Sequence, residues 1–157
     1  MGKYDHMEVS GTERMEAMAE CQSQLDGWKL TMPPVQPLVL HFGLGDFRRQ
    51  GLIEFWVANE VESGYCGKFL FVFDGQSCPP HRHAKKHETF FVVKGRVRMT
   101  VDGRELVKGE GDLVTMPPGT LHSFAGLGPA LLLETSTPCF PQDTFFEDER
   151  IGGSGAI

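Results

Sequence analysis

The 157-residue sequence has no long apolar run; none approaches the ~20 residues that a membrane-spanning helix needs. It also lacks a basic stripe. The formal net charge is −6 and the Lys and Arg residues are scattered, whereas a nucleic-acid binder neutralises phosphates with clustered cations. Neither nucleic acid nor a membrane is therefore the expected partner. The start, Met1 to Ser10, has no apolar leader core, so the expected location is the cytoplasm. Cysteine is sparse as well: Cys21, Cys66, Cys78 and Cys139 stand far apart with no CxxC pair. That spacing argues against a thiolate zinc site or a disulfide framework and reads as reduced thiols. With no repeats and no linker, residues 1–157 read as a single domain, with 1–11 and 152–157 as loose ends.

What the sequence does have is punctuation. Nineteen glycines and ten prolines fall singly between short apolar runs. Only 12–25 has helical spacing, with Met15, Met18, Ala19, Gln22 and Leu25 as its apolar stripe, Thr12 as a cap and Gly27 as a stop. From residue 38 onward, strands are expected at 38–42, 51–58, 66–73, 88–94, 96–101, 104–107, 112–116, 121–125 and 130–136. Asp102-Gly103 between two such runs is a hairpin turn signal. One short helix followed by many strands predicts an all-β barrel or sandwich.

His81 and His83 are one residue apart, so on an extended strand their side chains leave the same face. Glu88 opens the next run, and His122 follows the rigid corner Pro117-Pro118-Gly119. Three imidazoles and a carboxylate form a mixed N/O donor set for one divalent ion, with manganese, iron, cobalt, nickel and zinc all admissible. Glu134 interrupts the apolar run Ala130 to Leu133 and shares the strand face of Ala130 and Leu132. A carboxylate there is a general-base candidate. Lys86, two residues before Glu88, is a candidate to orient a polyol or steady an oxyanion. His87 is expected to face away from the ion, His41 to be structural, and Trp56 and Phe71 to belong to the core or the pocket wall.

Gly75, His81, His83, Glu88 and Gly95 stand at every fixed position of the first cupin motif. Gly111, Pro117, Gly119 and His122 resemble the second motif, with Ala125-Gly126 in place of its usual asparagine. This resemblance implies the cupin double-stranded β-helix, a jelly-roll barrel, with His81, His83, Glu88 and His122 as metal ligands. The segments Lys86 to Val92, Leu133 to Thr137, Phe42 to Phe47 and Asp143 to Arg150 resemble the D-lyxose isomerase branch of cupins. That resemblance implies an aldose–ketose isomerase with manganese as the leading ion, a monosaccharide substrate, Glu134 as base, Lys86 beside it, and a homodimer. Two other functions stay open on the residues: an iron-dependent dioxygenase and a non-catalytic sugar-binding module.

Overall fold

Residues 6–151 are described by a computed structural model in which the short apolar runs become eleven strands, preceded by helix α1 (Gly11–Gly27). The strands are β1 (Leu38–Leu40), β2 (Leu52–Glu60), β3 (Tyr65–Val72), β4 (Ser77–His83), β5 (Glu88–Lys94), β6 (Arg96–Val101), β7 (Arg104–Gly109), β8 (Leu113–Met116), β9 (His122–Gly126), β10 (Ala130–Ser136) and β11 (Thr144–Phe146). They form two antiparallel sheets, one ordered β1-β2-β3-β10-β5-β8 and the other β11-β4-β9-β6-β7. Alternation along each strand sends one set of side chains between the sheets. Leu52, Leu70, Phe90 and Leu132 from the first sheet meet Cys78, Val97, Met99 and Phe124 from the second. The all-β jelly roll expected from the sequence is the observed fold.

Ile53, Phe55, Phe71 and Leu131 point the other way and pack under α1. The helix buries Ala17, Cys21 and Leu25, which are spaced by four residues, while Met15 is 72% exposed and Ala19 and Gln22 face outward. The expected stripe was therefore rotated: the small residues Ala17 and Cys21 let the helix approach the sheet closely, and the bulkier Met15 falls outside the contact. Ser10 rather than Thr12 occupies the N-cap, and its side chain makes no capping bond. The helix runs through Gly27 and reverses at Lys29, whose φ is 59°, with Leu30 N–H donating to Leu25 C=O at 3.0 Å.

Two strands were not anticipated. In β4, Cys-Pro-Pro-His-Arg-His has little β-propensity, and its prolines sit where the pairing with β9 slips between Cys78 and His81. β11 is short and gains its pairing from β4, with Phe146 opposite His81 and Thr144 opposite His83. The first strand also stops two residues early, because Phe42 turns to φ 57°. The start of the chain is not loose where it is described. Met7 and Val9 are buried, and Val9 N–H and His41 N–H exchange backbone bonds with Val39 and Met7. Residues 1–5 and 152–157, the remaining expected loose ends, lie outside the described residues. Asp102 and Gly103 both adopt positive φ, 47° and 81°, as the hairpin signal required.

Gly95, between β5 and β6, has φ 77°, and a Cβ there would lie 3.0 Å from Ala130 Cα and closer still to Pro129 O. Gly95→Ala is expected to cost about 2–4 kcal/mol by combining backbone strain with a clash against backbone. Denaturant unfolding of the variant measures this; a loss under about 0.5 kcal/mol would contradict the crowding at this corner.

Candidate metal centre

Three strands and two turns carry the candidate donors. β4 places His81 and His83 on its inner face and turns Arg82 outward. β9 pairs with it so that His122 lies opposite His81. The corner before His122 is held from both sides: Gly119 N–H donates to His83 C=O at 2.7 Å, and Leu121 N–H donates to Asp102 Oδ1 at 2.9 Å. Glu88 opens β5. All four side chains are no more than 3% exposed.

Each imidazole is oriented through its Nδ1. His81 Nδ1 lies 2.8 Å from Pro79 C=O, His83 Nδ1 3.0 Å from Asp143 C=O and His122 Nδ1 2.9 Å from Thr120 C=O. A carbonyl only accepts, so each Nδ1 carries the proton and each Nε2 keeps a lone pair. The three rings offer ligand atoms within 4.8 Å of one another. Glu88 Oε2 is 3.1 Å from His83 Nε2, and Glu88 Oε1 is 3.7 Å from His122 Nε2. None of these four atoms has a hydrogen-bond partner. Electron-pair donors facing one another in a buried space repel unless they share a cation, so the donor set fits a divalent ion.

The electrostatics agree. Burial, with His122 and His83 alongside, holds the His81 imidazole well below its ordinary range and therefore neutral. Burial works against the Glu88 carboxylate, but His122, His83 and Lys86 outweigh it and keep Glu88 well below the usual carboxylate range. Burial likewise opposes charge on His122, while Glu88 draws that ring upward.

Beside the histidines lies a buried row of alternating charges. Lys86 Nζ is 3.7 Å from Glu88 Oε2 and makes an ion contact with Glu134 Oε1, though without hydrogen-bond geometry. Glu134 projects inward from β10, as its parity with Ala130 and Leu132 required. Its other oxygen faces Lys68 Nζ at 3.9 Å, and Lys68 in turn lies 3.4 Å from Glu54 Oε1. Lys68 and Glu54 were not singled out from the sequence. Both interrupt apolar alternation on an inner face, Leu52-x-Glu54 and Lys68-x-Leu70, which is the same signal that marked Glu134.

Asp143 is a third residue that the sequence reading did not single out, named there only as the start of a similar segment. It is 5% exposed, and its carboxylate accepts N–H bonds from Ala84, Lys85 and Lys86 at 2.9–3.2 Å. Because its own carbonyl also holds His83, one residue fixes a ligand and the loop that presents Lys86. His87 is exposed and faces away, as expected. Phe71 lines no part of the site: it packs against Trp28 and Phe73 on the far side of the sheet. Trp56 is half-buried and donates its Nε1–H to Glu54 Oε2 at 2.8 Å. His41 accepts a bond from Gly43 N–H and has no part in the centre. All four cysteines are free and buried.

The cavity among His81, His83, Lys86, Glu134 and the apolar residues Leu52, Leu70, Phe90 and Phe124 is only about 10 Å³. A roomier cleft, about 470 Å³ between Asp46, Arg49, Gln50, Ser77 and Arg150, lies elsewhere and contains none of the charged row. No described helix is long and apolar enough to cross a membrane.

If the converging donors hold an ion, adding a divalent metal relieves their repulsion. Thermal denaturation should then show the midpoint rising by several degrees with Mn²⁺. His83→Ala should abolish that shift and lower bound metal, measured by elemental analysis, by at least about tenfold. An unchanged shift in the variant would contradict the ligand set.

Comparison with known proteins places these observations. The sequence profile described as D-lyxose isomerase matches residues 4–101, and the cupin domain profile matches residues 70–136. The D-lyxose/D-mannose isomerase of Thermosediminibacter oceani is 33% identical, with 72% of this chain and 77% of that protein covered. The quercetin 2,3-dioxygenase of Bacillus subtilis is 36% identical over 69% of this chain but only 33% of its own length. Among solved structures, the L-ribose isomerase of Cellulomonas parahominis with L-ribose superposes with a TM-score of 0.73, at 19% identity, over 97% of this chain and 99% of that one. That likeness confirms the fold, and the sequence matches, which span more than half of the chain, establish that it belongs to the D-lyxose isomerase family of cupins.

Proposed function

We propose that the chain is a metal-dependent aldose–ketose isomerase that moves a proton between C2 and C1 of a small, unphosphorylated monosaccharide of the D-lyxose or D-mannose type. Family membership supports the isomerase class. The observation that carries the mechanism is Glu134, a buried carboxylate that shares the inner space with the three imidazoles and whose Oε1 is in contact with the ammonium of Lys86. In this reading His81, His83, Glu88 and His122 hold the ion, with manganese as the proposed metal. When bound, the ion supplies Lewis acidity to the sugar carbonyl and its neighbouring hydroxyl.

The chain's own residues do the rest. Glu134 takes the proton from C2; the electron pair left behind forms the C1–C2 double bond while the carbonyl pair moves onto O1, giving a cis-enediolate. The hydroxyl proton passes from O2 to O1, the pair on O2 forms the new C2 carbonyl, and the double-bond pair takes the proton back from Glu134 at C1. Lys86 is the cation nearest to Glu134 and to Glu88. Burial opposes its charge, but Glu134 leads the groups that hold its ammonium above its ordinary range. It therefore stays cationic and can face the negative charge that develops on the enediolate oxygens. A cavity of about 10 Å³ does not admit a sugar, so substrate entry is coupled to displacement of a lining side chain, and Lys86 is the most flexible of them. Lys86 and Glu134 beside the ligands suit a polyol rather than the apolar substrate that a dioxygenase pocket would favour.

A second copy of the chain is the proposed partner. Phe91 and Leu113 are 36% and 64% exposed, lie opposite each other on β5 and β8, and adjoin half-buried Leu133 of β10. The helix buries its Ala17, Cys21 and Leu25 side on its own sheet and does not supply this contact. Sedimentation is expected to return a dimer, and Leu113→Asp to shift it toward monomer; a monomeric parent chain would contradict the pairing.

The mechanism is tested in heavy water with Mn²⁺ and D-lyxose or D-mannose, followed by proton NMR. The parent protein is expected to produce ketose with deuterium at the exchanging carbon. Glu134→Gln is expected to lose about 10³-fold in kcat with metal content unchanged. Full turnover in that variant removes Glu134 from the mechanism.

A further inference from the structure

The buried pair Glu54–Lys68 has no place in the chemistry above and is costly to keep. Both side chains are fully buried in the barrel interior, on the same inner faces as Leu52 and Leu70. Taking two charges out of water costs several kcal/mol per ion, and apolar replacements of such pairs are often neutral or stabilising. Stability alone therefore does not account for them; their geometry does.

Strand register puts Lys68 directly opposite Glu134 across β3 and β10, and directly opposite Trp56 across β3 and β2. Its ammonium is 3.9 Å from Glu134 Oε2, 3.4 Å from Glu54 Oε1 and 4.5 Å from the centre of the Trp56 ring. Glu54 is itself tied down, since Trp56 Nε1–H donates to its other oxygen at 2.8 Å. Glu134 thus stands between two cations, with Oε1 toward Lys86 and Oε2 toward Lys68. Neither separation at Lys68 is that of a tight ion pair, so its charge is shared between two carboxylates.

We propose that Lys68, anchored by Glu54 and Trp56, is a positioning residue for Glu134: it holds Oε2 at the back of the site so that Oε1 faces the substrate carbons. This rests on Glu134 being the base. Glu54 keeps Lys68 paired during the interval in which Glu134 has taken up the proton and lost its charge. The row of buried charges therefore stays compensated at both ends of the transfer.

The test uses the full chain loaded with Mn²⁺ and D-mannose as substrate. Lys68→Met removes the ammonium at nearly constant length, and the double variant Glu54→Gln/Lys68→Met removes both charges so that none is left buried and unpaired. In the double variant kcat per folded, metal-loaded chain is expected to fall about 100-fold, the scale of a misplaced catalytic group. KM should stay within about twofold and metal content should not change. A melting midpoint that moves while kcat and KM stay at parental values would make the pair structural and overturn the proposal. A rise in KM at parental kcat would make Lys68 a sugar-binding group and overturn it too. Turnover in Glu134→Gln at the parental rate would instead show that the reading of the base has failed.

Discussion

Everything in the barrel interior follows from one constraint: a charge removed from water must find its opposite within a few ångströms. Eight ionisable or ligating groups share the space between the sheets, and the chain satisfies them by alternation. Glu54, Lys68, Glu134, Lys86 and Glu88 alternate in sign, and the row ends on three imidazoles whose ligand atoms converge within 4.8 Å, a set that fits a divalent cation. The apolar contacts of Leu52, Leu70, Phe90, Phe124 and Leu132 form the wall that keeps water away from this row. Without that wall the row would be an ordinary hydrated surface with little catalytic leverage, because electrostatic interactions strengthen as water is excluded. Core packing and site chemistry are in this sense one structural problem, solved by setting a few polar residues, Glu54, Lys68, Glu88, Glu134 and the three histidines, into otherwise apolar inner faces.

The backbone solves the second half of the problem, which is direction. A histidine can bind metal through either nitrogen, and each of the three here is committed by a carbonyl at Nδ1. Two of those carbonyls, of Pro79 and Thr120, lie two residues before the ring they orient, so the prolines that weaken β4 as a strand also set its first ligand. The third belongs to Asp143, which arrives from the far end of the described chain.

Much of this was legible in the sequence, and the reasons are specific. The spacing of His81, His83, Glu88 and His122 survives in the linear chain because three of the four lie on one short strand–turn–strand segment. Glu134 was visible because a charge in an apolar run breaks an obvious rhythm. Glu54 and Lys68 break the same rhythm inside the expected strands 51–58 and 66–73, but neither is flanked by a run as uniformly apolar as Ala130 to Leu133. Only the register between β2, β3 and β10 brings them together, and register is not written in a single strand. The helix stripe was misplaced by one residue of rotation because small residues gave too weak an apolar signal. β4 and β11 escaped because their pairing is imposed by neighbours rather than by propensity. Asp143 was hidden for a different reason: its role is to accept bonds from loop amides nearly sixty residues earlier, a contact with no local trace.

That long-range clasp has a consequence for how the protein comes into being. Synthesis proceeds from the amino end, so both cupin motifs and the strand of Glu134 leave the ribosome before Asp143 does. For that interval the nascent chain holds His81, His83, Glu88, His122 and Glu134 but not the residue whose carboxylate binds the loop of Lys86 and whose carbonyl orients His83. The interior arrangement is complete only once β11 pairs with β4.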